Sequence, residues 1–410
     1  MTFRGFAARQ VRTPQGSLPG DCRRFPQLLY CEPTMGRNIE VVRVEARSST
    51  EREFIAFPKR LYRGCPQWVP WFDLDMRALL RRRHPFFGQA SGEFFLVREG
   101  GRTLARACVV KNPAYIAQHK ARCGHFYFFD AEDDAQAAEA LMSRLLEWTR
   151  GQGLEMLRGP MLLGGASGSG VLIEGFDRRA AMTMMQYNHA YYSRLLEGLG
   201  FRKHVDLLSM DLPPATFRLP ERVSAIAGKV LERGRFQVLR FRSKRDLSRV
   251  ADRVAELYNA TLADHLEDYP LSPEELQQVK KDLLVIADPH LAKILAYDGQ
   301  IVGYLFAFPD LSAALQKNQG RLGPVELLRL LRGMKASDGL IINGMGILSH
   351  YQRLGGNALL YSELEKTVAD RTFRSAELVQ VSERTELMLR DIQTLGARVC
   401  KVHRIYERSC

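Results

Sequence analysis

The sequence has no apolar run near the ~20 residues a spanning helix requires. It also has no Cys-x-x-Cys, no His-Glu-x-x-His and no Gly-x-x-x-x-Gly-Lys-Ser/Thr. These absences exclude the common structural and catalytic zinc patterns and the nucleotide P-loop. No metal is expected. Seven cysteines in 410 residues, an odd number with no close pair, argue against a disulfide framework and for a reducing compartment. Helix-turn-helix, zinc-finger and RNA-binding signatures are absent, so nucleic acid is not the expected partner. Residues 1–37 lack the apolar segment of a secretory signal and any clear period. They read as a disordered extension, with Met35 an alternative start. A cytoplasmic protein, in peripheral contact with the inner membrane at most, is the resulting expectation.

What is present is ordinary globular material, 46% hydrophobic and 26% charged, long enough for two or three domains. The formal net charge of +13 favours anionic partners, among them acidic lipid and coenzyme phosphates. Residues 1–36 supply only a minor share of it, so the basic character belongs to the ordered chain.

The most informative stretch is Asp338 to Asp370. An apolar run, Leu340 to Leu348, reads as a buried strand. A polar turn and Gly355-Gly356 follow, and from Asn357 a helical period places Leu359, Leu360, Leu364 and Val368 on one side. Strand, glycine turn and helix start form an anion cradle, because the first helical amides are unpaired and glycine admits a phosphate closely. The spacing is Gln-x-x-Gly-x-Asn from Gln352, or Arg-x-x-Gly-x-Ala from Arg353. Both resemble the pyrophosphate loop of the GNAT acyltransferases, which bind acyl-coenzyme A. The resemblance places coenzyme contacts at Gly346, Ile347, Leu348, Gln352, Arg353, Leu354, Gly355, Gly356, Asn357 and Ala358.

The neighbouring elements keep the same order. A hairpin turning at Asp298-Gly299 precedes the stretch; a strand (376–381), a helix (383–394) and a final strand (398–406) follow it. An earlier copy of this order begins at Ile39, with a hairpin turning at Gly100-Gly101 and a helix over 135–150. The two copies end alike, at Leu199-Gly200 and Leu395-Gly396, each leading into a strand. The expected architecture is α/β (α+β): two tandem GNAT-like acyl-CoA N-acyltransferase domains, with mixed central sheets flanked by helices. The first covers 38–212 and the second 236–410, joined by a linker over 213–235. At the loop position the first copy carries Asp130, Glu132, Asp133 and Asp134, which would repel pyrophosphate. Coenzyme binding is therefore expected in the second copy alone.

Phe57-Pro58, Trp68-Val69-Pro70, His84-Pro85-Phe86-Phe87 and Leu172 to Asp177 extend the likeness to long two-copy bacterial GNAT-like proteins. The sharpest similarity is to bacterial ceramide synthases of GNAT type, which N-acylate a sphingoid base. Such a resemblance implies direct transfer from acyl-CoA, or an acyl carrier protein, to an amine, with backbone amides near Gly346 to Leu348 orienting the thioester. A tyrosine four residues before the glycine that ends the last helix is usual in GNAT enzymes; here that position is Ile392. Candidate acid and base groups are His265, Glu267, Glu377, Glu383 and Tyr361, with Glu383 also read as a helix cap. Cys400 reads as core. A second reading, a non-catalytic GNAT scaffold holding an anionic partner, stays open at this point. Between the second hairpin and its central strand, Leu327, Leu328, Leu330 and Leu331 alternate with Arg321, Arg329, Arg332 and Lys335. This reads either as an interfacial basic helix or as a helix packed on its own domain.

Overall fold

Short β-rich runs closed by glycine turns build most of the architecture. In chain order the strands are β1 (Ile39–Arg43), β2 (Ser91–Glu99), β3 (Arg102–Lys111), β4 (Cys123–Ala131), β5 (Met156–Met161), β6 (Val171–Glu174), β7 (Arg202–Asp211), β8 (Phe236–Leu239), β9 (Lys293–Tyr297), β10 (Gln300–Pro309), β11 (Gly339–Ile347), β12 (Ser375–Ser382) and β13 (Arg398–Ser409). The computed structural model describes residues 37–162, 168–262, 267–370 and 373–410. The β2–β3 hairpin turns at Gly100 and Gly101, both at positive φ (54° and 80°), and β9–β10 at Asp298 and Gly299 (47° and 81°). Two consecutive left-handed residues give a turn whose twist matches that of the strands it joins, which explains the Gly-Gly and Asp-Gly pairs.

All thirteen strands of the described residues belong to one sheet, in the order β1-β2-β3-β4-β5-β13-β7-β12-β11-β10-β9-β8, with β6 pairing β13 to one side. The order is pseudo-symmetric about β13 and β7. Each half ends on a strand that leaves its own neighbours: β13 pairs β5 of the first half, and β7 pairs β12 of the second. Between them β7 and β13 run antiparallel from Arg202 against Glu407 to Asp211 against Arg398. The two halves thus share a hydrogen-bonded spine, in which Val205, Ile405 and Tyr406 are completely buried. Burying each such side chain contributes roughly 1.5–3 kcal/mol, so the spine stabilises both halves together.

The duplicated endings have a common physical cause. The helices Tyr191–Gly198 and Glu386–Thr394 stop at Leu199 and Leu395, and Gly200 and Gly396 follow at φ 79° and 84°. That left-handed residue closes the helix and turns the chain into β7 or β13.

Helices cover both faces of the sheet. Helix Ala135–Gly151 buries Leu141, Met142, Leu145 and Leu146 against the first half. Helix Lys244–Leu262 lies over β10 with helix Pro273–Ile286 packed against it, and helix Gly356–Asp370 lies on the second half's apolar cluster through Leu359, Leu360 and Leu364. The stretch expected to be a linker contains a helix, Glu221–Glu232, whose Val230 joins that cluster. Its pattern of Val223, Ala227 and Val230 is amphipathic, a signal the sequence carried. Among the described residues, no helix is long and apolar enough to cross a membrane.

Candidate active site

The site begins with a local irregularity in β11. This strand pairs β12 in parallel only from Gly339–Ser375 to Ile342–Leu378. The next residues, Asn343 and Gly344, form a bulge against β10: Ile342 faces Ala307, but Met345 already faces Leu305. Gly344 supplies the positive φ (95°) that such a bulge requires. On the other side β12 has its own shift between Leu378 and Val381, with Gln380 at φ 34°. The two strands separate and leave a cleft of about 440 Å³. Its walls are apolar, with Leu305, Ile342 and Met345 on one side and Leu378 and Val381 on the other. Helices Gly356–Asp370 and Glu386–Thr394 contribute Tyr361, Met388 and Ile392.

The glycine loop lies at the end of β11. A short 3-10 turn, Ser349–Tyr351, leads into Gln352, whose side-chain amide donates to the Ile347 carbonyl at 2.9 Å. Arg353 and Gly355 both have positive φ, 60° and 90°. A Cβ on Gly355 would lie 2.5 Å from Val230 Cγ2, and one on Gly356 would lie 2.7 Å from Leu295 Cδ2. A Cβ at either position would force these side chains to shift, and the positive φ of Gly355 favours glycine there as well. Leu354 is exposed, Ala358 is buried, and Asn357 donates to Asp391 at 3.0 Å. The first turn of the helix that follows holds no acidic residue, and its leading amides lack intrahelical acceptors by geometry. This loop fits a phosphate group. Further back, Gly346 lies against the Tyr304 ring, where a Cβ would come within 2.7 Å of Cε1. The Leu348 amide donates to the Val302 carbonyl at 3.0 Å, so it cannot orient a thioester as expected. The β11 residues that line the cleft are instead Ile342, Gly344 and Met345.

The first half is closed at the corresponding place. β4 has its bulge at Phe128 (φ 54°), but the cavity beside it measures only about 50 Å³. Tyr62 fills the region, stacked between Trp68 and His189 and bonded to Asp130 at 2.8 Å. Asp130 also pairs with buried Arg106. Where the second half has a glycine loop, Asp134 caps the helix by accepting from the Ala137 amide at 3.0 Å. Glu132 pairs with Arg60 and Arg102, and Asp133 with Arg194. A protein carboxylate thus occupies the anion position in this half.

The candidate acid and base residues separate clearly. His265 lies outside the described residues. Tyr361 is buried beside the cleft, and its hydroxyl has no hydrogen-bond partner among the described residues. Burial, with Asp391 adding to it, holds the phenol well above its ordinary pKa, so it stays a neutral donor. Glu267, also buried, lines the cleft. Both its oxygens lie 3.0 Å from His204 Nε2, and Arg384 donates to it at 2.9 Å. His204 Nδ1 in turn lies 2.8 Å from Glu407, which Arg158 holds at 2.9 Å.

Glu377 and Glu383 are placed elsewhere. Glu377 is absent from the cleft lining and pairs with buried Lys401 at 2.7 Å. Burial raises its carboxyl pKa, and Lys401 offsets this only in part. Glu383 is not a helix cap, since Thr385 holds that position. It bonds Lys203 at 2.7 Å and the Asp206 amide at 3.0 Å, tying the end of β12 to β7. Cys400 lies beside Glu377, and burial pushes its thiol up to about 12. A thiol so held is no nucleophile at neutral pH. Ile392 is buried in the cleft wall where the expected tyrosine would stand. Among the described residues no cluster of three or more His, Cys, Asp or Glu could hold a metal ion.

A bulged central strand repeated in two halves, with the splayed strands and the glycine loop in the second half only, defines the class of fold. The chain has a tandem GNAT N-acetyltransferase fold. A tandem GNAT protein from the clavulanic acid biosynthesis pathway superposes over 90% of this chain and 98% of its own, with a TM-score of 0.51 at 11% identity. A GCN5-related glucosamine N-acetyltransferase region of a fungal multi-domain GH3 β-N-acetylglucosaminidase gives 0.53 at 10% identity, covering 92% of this chain and 38% of that one. At the level of sequence the chain is 27% identical over 386 residues to the bacterial ceramide synthase of Caulobacter vibrioides, covering 91% of this chain and 98% of that protein. It is 25% identical over 386 residues to protein YghO of Escherichia coli, covering 90% and 95%. No family model matches the chain.

Proposed function

We propose that this protein is an N-acyltransferase that moves an acyl group from a coenzyme A or carrier-protein thioester to a lipid amine of the sphingoid-base type. The observation that carries the reading is the Tyr361 hydroxyl, buried and without a partner among the described residues, beside the β11–β12 cleft. A buried hydroxyl without a partner is uncommon, and one at a cleft wall supports a ligand that completes it. The apolar walls suit an acyl chain, and the likeness to a ceramide synthase supports a long-chain amine acceptor.

Gly355 and the amides of residues 356–358 hold the pyrophosphate of the donor, and the bulged strand at Gly344 and Met345 directs its carbonyl. The amine nitrogen attacks the thioester carbon, a C–N bond forms, and the C–S bond breaks as thiolate leaves. Tyr361 donates a hydrogen bond to the negative charge that develops, which a preorganised donor in a dry site does without reorganising. The proton leaving nitrogen passes to Glu267. From there His204 and Glu407 form a hydrogen-bonded path away from the cleft.

The test is release of free coenzyme thiol from a long-chain acyl-CoA, with a long-chain amino alcohol or a small hydrophilic amine as acceptor. The reading expects release with the first and little with the second. Equal rates, or a preference for the small amine, would remove the lipid acceptor from the account.

A further inference from the structure

The connection from β10 to β11 contains a helix, Pro324–Ala336, in which no residue is buried. Its inner side is nevertheless packed. Leu330 and Met334 meet the cluster of Phe308, Leu311, Leu315 and Ile341. Arg329, read from sequence as part of a basic face, donates to Asn318 Oδ1 at 2.7 Å. The outer side is a different surface. Val325, Leu327, Leu328 and Leu331, with Leu322 just ahead of the helix, are between 43% and 64% exposed. At 100° per residue Val325, Leu328 and Leu331 fall within one half of the helix surface. Arg332 and Lys335 lie in the same half, and Arg321 precedes it; all three cations are exposed.

The helix has one acid, Glu326, and its carboxylate is turned back onto the Gly323 amide at 3.1 Å. Asp338, just beyond the helix, faces Arg374 at 3.5 Å. The exposed side therefore carries apolar side chains interleaved with cations. Scattered exposed leucines need no explanation, but a row of exposed apolar side chains interleaved with unpaired cations along one side of a helix does.

We infer that helix Pro324–Ala336 docks the protein on an anionic phospholipid surface, with its leucines in the acyl boundary and Arg321, Arg332 and Lys335 among the head groups. The charge pattern chooses this occupant. A second copy of this chain would bring the same cations face to face, whereas an anionic bilayer complements them. An interfacial helix binds through the sum of buried apolar area and attraction to acidic lipid. Each cation near such a surface strengthens binding about fivefold.

The experiment is flotation of the full chain with phosphatidylglycerol-containing vesicles or with pure phosphatidylcholine vesicles. It needs no substrate turnover, so it stands or falls separately from the acyl-transfer reading. The wild-type protein is expected to float with the anionic vesicles, to remain behind with the neutral ones, and to be released by salt. Arg332→Glu with Lys335→Glu, and independently Leu328→Asp with Leu331→Asp, should each weaken anionic binding at least tenfold. These residues are exposed, so thermal melts of both variants should match wild type. A variant that melts early is replaced by Leu328→Ser with Leu331→Ser, which carries the same expectation. Wild-type protein that ignores anionic vesicles, binds neutral ones equally, or forms a dimer broken by Leu328→Asp would overturn the inference. So would folded variants that float like wild type.

Discussion

Replacing Gly355 tests the loop geometry most sharply, because two separate features of the structure favour glycine there. Its φ of 90° lies outside the comfortable range of any L-residue, and a Cβ would stand 2.5 Å from Val230 Cγ2. Gly355→Ala should therefore cost about 1–2 kcal/mol from the backbone. Overpacking against Val230 adds roughly 1–3 kcal/mol. Val230→Ala in the same chain removes the steric part and leaves the backbone part. Gly355→Glu adds a negative charge where the pyrophosphate should lie, so it should abolish donor binding in molecules that still fold. Chemical denaturation measures the first pair of effects, and titration calorimetry with a long-chain acyl-CoA measures the last. Gly355→Ala as stable as wild type, or Gly355→Glu binding the coenzyme with unchanged affinity, would refute the reasoning.

Other expectations follow from the same geometry. Neutralising Asp133 and Asp134 by change to asparagine should leave one coenzyme site per chain by calorimetry, since Tyr62, Trp68 and Asp130 still fill the first half's cleft; two sites would contradict this. His204→Gln should lower turnover more than donor affinity and alter the pH profile of the rate, because His204 touches Glu267 and does not line the cleft; a change confined to coenzyme affinity would argue against the proton path. Burial holds His125 and His403 neutral, each with a pKa lowered to about 3. The unfolded chain binds protons near pH 6.5 and the folded chain does not, so stability falls as pH drops from about 6.5 toward 3. At pH 5 the loss is on the order of 2 kcal/mol for each histidine, read as a shift in urea midpoint; equal midpoints at pH 7.5 and 5 would contradict it.

The hairpins at Gly100-Gly101 and Asp298-Gly299, the glycine loop and the matched helix ends were legible because each rests on local backbone chemistry. Asp134 was legible as a helix-start charge unfit for phosphate, and it is the cap itself. The strand exchange was not legible. Register between β7, β12 and β13 is a pairing of segments about 170 to 200 residues apart, and hydrophobic period says nothing of which strands adjoin. The network at the cleft suffered for the same reason. Arg158, His204, Arg384 and Glu407 stand on β5, β7, the end of β12 and β13, and no spacing links them. Glu267 was named from its place after a helix, without the partners that hold it. Glu377 misled because alternation along β12 decides its face, and the register needed to apply that rule came only with the sheet. The helix Glu221–Glu232 carried a signal in Val223, Ala227 and Val230, which the Pro-rich start of that stretch obscured.

The central claim is that acyl transfer takes place in the cleft between β11 and β12. Met345 stands in its wall, half-buried, at the position just after the bulge. The decisive measurement compares wild type with Met345→Trp, which fills the cleft, using mass spectrometry of the amide formed from a long-chain acyl-CoA and a long-chain amino alcohol. The account predicts one amide per thiol released by wild type and none above background from a folded Met345→Trp protein. A plugged variant that forms the amide at the wild-type rate would place the chemistry elsewhere and contradict the account.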